Sequence, residues 1–206
     1  MKYLNLSGIH TAEVKEDPFP YFVINNFILE PYLNVLLNLY PYVPGSGSYP
    51  CKLLNIHPIF QNLLDELYSQ ELKDILASKF TINLHKKPVM ITARGYCQRK
   101  DGKIHLDNRH KLLTLLLYMN PTWPSPDGRL RLLHNDHDLE TPALEIAPLA
   151  GTLVVFKTTK NAWHGHTSFE GPRKVLQINY IDSGLIVLKE TIRHRIASII
   201  KKFYKN

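Results

Sequence analysis

Apolar positions follow two rhythms along this chain. Before about residue 80 they recur at helical spacing, and beyond it they come in short blocks cut by turn residues. Glu30 to Tyr40 places Leu33, Leu36, Leu37 and Tyr40 on one helical face, with Pro31 suited to the first turn. Residues 58–78 repeat the pattern through Phe60, Leu63, Leu64, Leu67, Leu72, Ile75 and Leu76. Ahead of both, Pro20 to Ile24 reads as a strand bounded by Pro18 and Asn25-Asn26. The stretch 41–50, with three prolines, two glycines and two serines, reads as a loop. From about Thr81 the expected strands are 89–97, 111–119, 129–133, 142–146, 152–156 and 175–181. Asp101-Gly102, Pro126-Asp127-Gly128, Ala150-Gly151 and Glu170-Gly171-Pro172 supply the turns between them. Leu185 to Tyr204 reads as a closing helix with Leu188, Ile192, Ile196, Ile199, Ile200 and Phe203 on one face.

Many strands without helices between them predict an antiparallel sandwich or barrel and disfavour a doubly wound parallel sheet. A chain of 206 residues has enough sequence for one domain with a sizeable core. Hydrophobic residues at 44% and charged residues at 21% exclude a disordered chain. No apolar run reaches the roughly 20 residues of a membrane span. The first residues lack the apolar run of a leader, so a cytoplasmic location is expected. Cys51 and Cys97 are too few for a disulfide framework or a four-cysteine zinc site, and fit reduced thiols. The net charge of +7 is spread along the chain, which speaks for solubility more than for nucleic acid. The closing helix is basic; it is expected to pack on the sheet with a solvated face, a membrane-surface helix being the alternative.

Candidate chemistry starts at His105-Leu106-Asp107. Residues two apart in a strand share a face, so the imidazole and the carboxylate can hold one metal ion together. One more histidine from a distant strand completes a facial triad that leaves three positions open. A second such pair, His134-Asn135-Asp136, sits in a run so polar that a surface hairpin tip is the better reading. The residues downstream separate the two pairs. After Asp107 come the apolar strand 111–120, then Trp123, a Pro/Asp/Gly turn, and Gly128-Arg-Leu-Arg-Leu-Leu133. Farther on are Asn161-Ala-Trp-His-Gly-His166 and, nine positions after His164, Arg173.

In this order of motifs the chain resembles the Fe(II)- and 2-oxoglutarate-dependent dioxygenases, and among them the prolyl 4-hydroxylase-like branch. The resemblance is densest over residues 89–181, with a weaker part at Asp17 to Phe27. It implies a double-stranded β-helix (jelly-roll, cupin-like) core at about 81–182. Helical support at about 1–80 and a basic C-terminal helix at about 185–206 would complete a single domain. It implies His105, Asp107 and His164 as iron ligands, and Arg173 as the anchor of the distal carboxylate of 2-oxoglutarate. A guanidinium fork suits that task. Tyr118 matches the tyrosine whose hydroxyl helps hold the same carboxylate. Thr114, on the same strand face, would line the pocket. Tyr96, nine positions before His105, matches a tyrosine that contacts 2-oxoglutarate or substrate.

His166 shares a strand face with His164 and is the other candidate for the distal ligand. The loop from Gln98 to Lys103 is short, and Asp127-Gly128 stands where the family has Gly-Gly, which bears on the substrate groove. Lys157, Lys160, Arg94 and Arg99 either line a basic mouth or end strands in solvent. His10, His57, His85, His110 and His194 have no partner at metal spacing, and Trp123 and Trp163 read as packing. The implied cosubstrates are 2-oxoglutarate and O2 with Fe(II), ascorbate being an optional reductant. The implied reaction is hydroxylation of an unactivated C–H bond, with peptidyl proline as the first substrate. A free amino acid, a sugar or a lipid-linked metabolite is the alternative. Readings from other classes are a non-catalytic jelly-roll binding module and a basic nucleic-acid-binding or demethylating protein.

Overall fold

A computed structural model describes residues 2–183. The helix expected at 185–204 lies outside them. The element order is α1 (Leu6–Thr11), β1 (Tyr21–Ile24), α2 (Glu30–Asn38), β2 (Tyr49–Pro50), a 3-10 turn (Cys51–Leu53), α3 (Pro58–Leu67) and α4 (Gln70–Lys79). Next along the chain are β3 (Val89–Cys97), β4 (Lys111–Tyr118), β5 (Leu130–Leu132), β6 (Leu144–Ile146), β7 (Leu153–Lys157), β8 (His164–Gly165) and β9 (Gly171–Ile181). The strands pair antiparallel into a six-stranded sheet, β1-β7-β4-β9-β3-β2, and a three-stranded sheet, β6-β5-β8. The two sheets enclose Tyr21, Tyr118, Val154, Phe156 and Val175 with Leu130, Leu132 and Ile146. This is the jelly-roll architecture, mainly β with helices at its N-terminal side.

The large sheet is buried on both faces, which explains its unbroken apolar runs. On β4, Leu113, Leu115 and Leu117 join the core built with Phe60, Leu63, Leu67, Leu72 and Leu76 of the helices. The alternate residues turn to the other face, where Tyr118 joins the cluster between the sheets. The helices thus cover one face and leave the opposite one to the small sheet.

Several elements depart from the sequence expectation for local reasons. The helical stretch 58–78 is two helices, because Ser69 Oγ accepts from Leu72 N (3.2 Å) and caps α4. The short helix α1 is opened by Asn5, whose side chain accepts from Gly8 N (2.9 Å). Within the expected loop 41–50, Tyr49 and Pro50 pair with Ala93 and Thr92 as an edge strand. Strand β9 begins at Gly171 rather than Val175. Among the described residues no helix is long and apolar enough to cross a membrane.

Candidate active site

Backbone pairing brings two distant histidines side by side. His105 N donates to His164 O (3.0 Å) and His164 N to His105 O (3.2 Å), an antiparallel bridge that joins His105 to the first residue of β8. Their ring centroids lie 4.3 Å apart. Asp107, two residues on, presents its carboxylate to the same point, so that ligand atoms of His105, Asp107 and His164 all lie within 4.8 Å of one another.

The ring orientation is fixed from behind. His105 Nδ1 is 2.8 Å from Lys103 O, and His164 Nδ1 is 2.9 Å from Ala162 O. A carbonyl can only accept, so each Nδ1 carries the proton and each Nε2 offers its lone pair. Burial lowers the His164 pKa to about 4, which keeps that imidazole neutral and ready to ligate at neutral pH. Burial alone would raise the pKa of Asp107. The Lys111 ammonium at 2.6 Å, the His164 ring and the Thr114 hydroxyl outweigh it and hold the carboxyl below its usual range. Two imidazoles and one ionised carboxylate converging on one point suit a divalent first-row metal with its remaining positions open.

The cavity beside this cluster has a volume of about 180 Å³. Its floor is the inner face of the large sheet, including Thr114, Gln177, Arg173 and Arg94, and the small sheet closes it with Leu130, His164 and Gly165. Arg173 is only 5% exposed. Its Nε donates to Gly128 O (2.9 Å), and among the described residues no carboxylate pairs with it. Its guanidinium carbon lies 5.4 Å from the centre of the Tyr118 ring. The Tyr118 hydroxyl is fully buried and meets no group at hydrogen-bonding geometry. Burial pushes that phenol's pKa up, with the Arg173 charge pulling the other way. A buried cation without an anion, next to a buried hydroxyl without a partner, is the environment an anionic ligand would complete.

The other expected residues fall in different places. Thr114 lines the cavity, and its hydroxyl contacts Asp107 and Asn179. His166 also lines the cavity, but its Nδ1 faces Thr167 O (2.8 Å) and its Nε2 faces Cys97 Sγ (3.8 Å). The geometry therefore brings His164, and not His166, into the cluster. Tyr96 is 39% exposed and is not among the lining residues. A register shift lies between Arg94 and Tyr96, where Gly95 alone faces Arg173 and Lys174. Past it Tyr96 pairs with the exposed Pro172, and the buried Cys97 pairs with Gly171. His134 stands exposed in the β5–β6 connection, as a hairpin tip requires.

Three participants were not singled out as site residues by the sequence. Lys111 pairs with Asp107 across a bend whose shape the local pattern does not reveal. Gly102 and Gly165 let the loop 98–104 lie against β8. A Cβ on Gly102 would sit 2.2 Å from the His166 ring, and one on Gly165 would sit 2.7 Å from Gly102 O. The clue for Gly165 was its place between two histidines.

Comparison with known proteins agrees with this geometry. Residues 92–181 match the profile of the 2OG-Fe(II) oxygenase superfamily. No curated protein matches the chain in sequence. Among solved structures, a Pseudomonas putida prolyl-4-hydroxylase is similar with a TM-score of 0.54 at 18% identity, over 80% of this chain and 88% of that one. A viral collagen prolyl hydroxylase from Paramecium bursaria Chlorella virus-1 gives 0.51 at 17%, over 78% and 90%. A prolyl 4-hydroxylase from Phytophthora capsici gives 0.55 at 20%, over 78% of this chain and 58% of that one. At these identities the structures share the fold. The profile match spans every residue of the metal cluster and the cavity floor, so the β core of this chain, residues 92–181, carries the profile of the 2OG-Fe(II) oxygenase superfamily, dioxygenases that use Fe(II), 2-oxoglutarate and O2.

Proposed function

We propose that this chain hydroxylates an unactivated C–H bond of its substrate, with one oxygen atom of O2 entering the product and the other entering succinate as 2-oxoglutarate loses CO2. The observation that carries this reading is the buried Arg173, which pairs with no carboxylate among the described residues and lines the same small cavity as His105 and His164, two of the three converging metal donors. His105 Nε2, His164 Nε2 and one Asp107 oxygen would hold Fe(II), which supplies the redox chemistry of O2 activation when bound. Arg173 would take the distal carboxylate of 2-oxoglutarate through its free guanidinium nitrogens, and the Tyr118 hydroxyl would donate to the same group. Lys103 O and Ala162 O keep the two imidazoles aimed inward, so the site is arranged before the metal arrives. Leu116, Leu130 and Val175 keep water from the cavity wall.

A peptidyl-prolyl substrate is supported by the names of the similar structures, all three of them prolyl hydroxylases. A cytoplasmic, reducing setting is supported by Cys51 and Cys97, both buried as free thiols. The test is succinate formation from 2-oxoglutarate by the purified chain with Fe(II) and ascorbate, without added substrate. Slow turnover is expected from the parent protein and none from His105→Ala or Arg173→Ala. Equal succinate from parent and variants, or none from the parent, overturns the reading. The substrate is then sought as a product heavier by one oxygen atom among fractionated proteins and metabolites.

A further inference from the structure

Arg94 and Asp101 face each other in the part of the cavity that the binding of iron and 2-oxoglutarate leaves unassigned. Arg94 stands on β3, paired in register with Val175 of β9, which in turn pairs with Tyr118 of β4. It therefore lies one strand farther from β4 than the residues assigned to 2-oxoglutarate, on the side of the sheet that ends in β2. Its side chain is 23% exposed, its Nη1 is 3.5 Å from Asp101 Oδ2, and no other ion pair involves it among the described residues. A single contact of that length between partly exposed groups is weak. The Cys97 thiol also lies against this guanidinium, but a fork of five N–H donors is not filled by these two contacts. Asp101 does not depend on Arg94 for its position, since the same Oδ2 accepts from Gln98 N (3.0 Å) within the loop.

The surroundings are polar. Ser48, Thr92 and Gln177 line the cavity beside Arg94 and Asp101, and among the described residues no Phe, Tyr or Trp does. Tyr96, which the resemblance offered as a contact to 2-oxoglutarate or substrate, is exposed and does not line the cavity. The cavity thus holds two guanidiniums, while the distal carboxylate of 2-oxoglutarate accounts for Arg173 alone. A neutral substrate would leave the second guanidinium with only its weak contacts to Asp101 and the Cys97 thiol, whereas a carboxylate would engage it bidentately.

We infer that Arg94 is a specificity-determining residue that receives a carboxylate of the substrate, and that Asp101 occupies the guanidinium until that carboxylate displaces it. The inference rests on the oxygenase reading above. A free amino acid and an acidic residue next to the reacting residue of a peptide both offer this chemistry.

The experiment compares succinate formation with and without a probe, using the full chain with Fe(II), 2-oxoglutarate and ascorbate. The probes are the common L-amino acids, their carboxamides, and proline peptides with or without a neighbouring Asp or Glu. Stimulation by a carboxylate probe but not by its amide is expected. Free amino acids acting alone, or acidic peptides acting alone, identify the source of the carboxylate. Arg94→Met should reduce the stimulation roughly tenfold or more, as expected for loss of a charge-assisted bidentate contact, with Arg94→Lys in between. Asp101→Asn removes the internal competitor and should lower the probe concentration needed. Equal stimulation by amides, no effect of Arg94→Met, no stimulating probe, or a raised KM for 2-oxoglutarate in Arg94→Met as its main defect overturns the inference while the oxygenase reading stands. Absence of succinate under every condition overturns both.

Discussion

The carboxylate of Asp107 receives one donor on each oxygen, Lys111 Nζ on Oδ1 and Thr114 Oγ1 on Oδ2. The proposed metal ligand is therefore oriented by its neighbours, as the two imidazoles are by backbone carbonyls. Groups behind a ligand typically govern metal affinity by about 10- to 100-fold. Thr114→Val keeps the shape of the β-branched side chain and removes the donor, so it should weaken Co(II) binding by roughly that factor. Titration of the visible Co(II) absorption measures it, and an affinity equal to the parent's would refute the role. Arg173 makes the same point in reverse, since its guanidinium is buried with one backbone acceptor, Gly128 O.

At the scale of elements, the site depends on two-residue β8 and the loop packed against it. Strand β8 pairs with β5 through Arg131–Gly165 and Leu132–His164, while His105 pairs with its other side. The close approach works because position 165 carries no Cβ, and the atom it would strike, Gly102 O, is backbone and cannot rotate away. Gly165→Ala should therefore force the 98–104 loop outward and cost about 1–3 kcal/mol of stability, as overpacking does. Urea unfolding reads the loss. A stability within roughly 0.5 kcal/mol of the parent, the range of harmless surface changes, would contradict it. Displacement of His105 with the loop should weaken metal binding in the same variant.

Across the whole molecule, the helices support the large sheet from one face and the small sheet closes the other, leaving His105, His164 and Arg173 on one cavity. Ligands that bind only this folded arrangement must raise its melting temperature. Mn(II) is a redox-inert substitute for Fe(II). Mn(II) with 2-oxoglutarate, each at about a hundred times its Kd, should each add about 2.7 kcal/mol. At roughly 2–4 °C per kcal/mol that is a rise of about 5–10 °C for each ligand. Arg173→Met should keep the Mn(II) increment and lose the 2-oxoglutarate increment. Thermal scans that show no rise with Mn(II), or an undiminished 2-oxoglutarate increment in Arg173→Met, would sink the assignment.

Much of this architecture was legible along the chain. The apolar blocks located β1, β3, β4 and β7 within a residue or two, because a buried strand must carry its own apolar side chains. His105-Leu106-Asp107 announced its shared face, because a spacing of two is a local property of extended chain. Short β2 and β8 were not legible, because each exists only through the partner that completes its hydrogen bonds. The same limit applies to Tyr96, whose outward turn results from the register shift opposite Arg173 and Lys174. It applies to the choice between His164 and His166, which the bridge to His105 decides, and to Lys111 on Asp107. Periodicity and residue chemistry belong to the chain itself, whereas which face meets which neighbour depends on pairing between residues far apart in sequence, and only the folded β core supplies that.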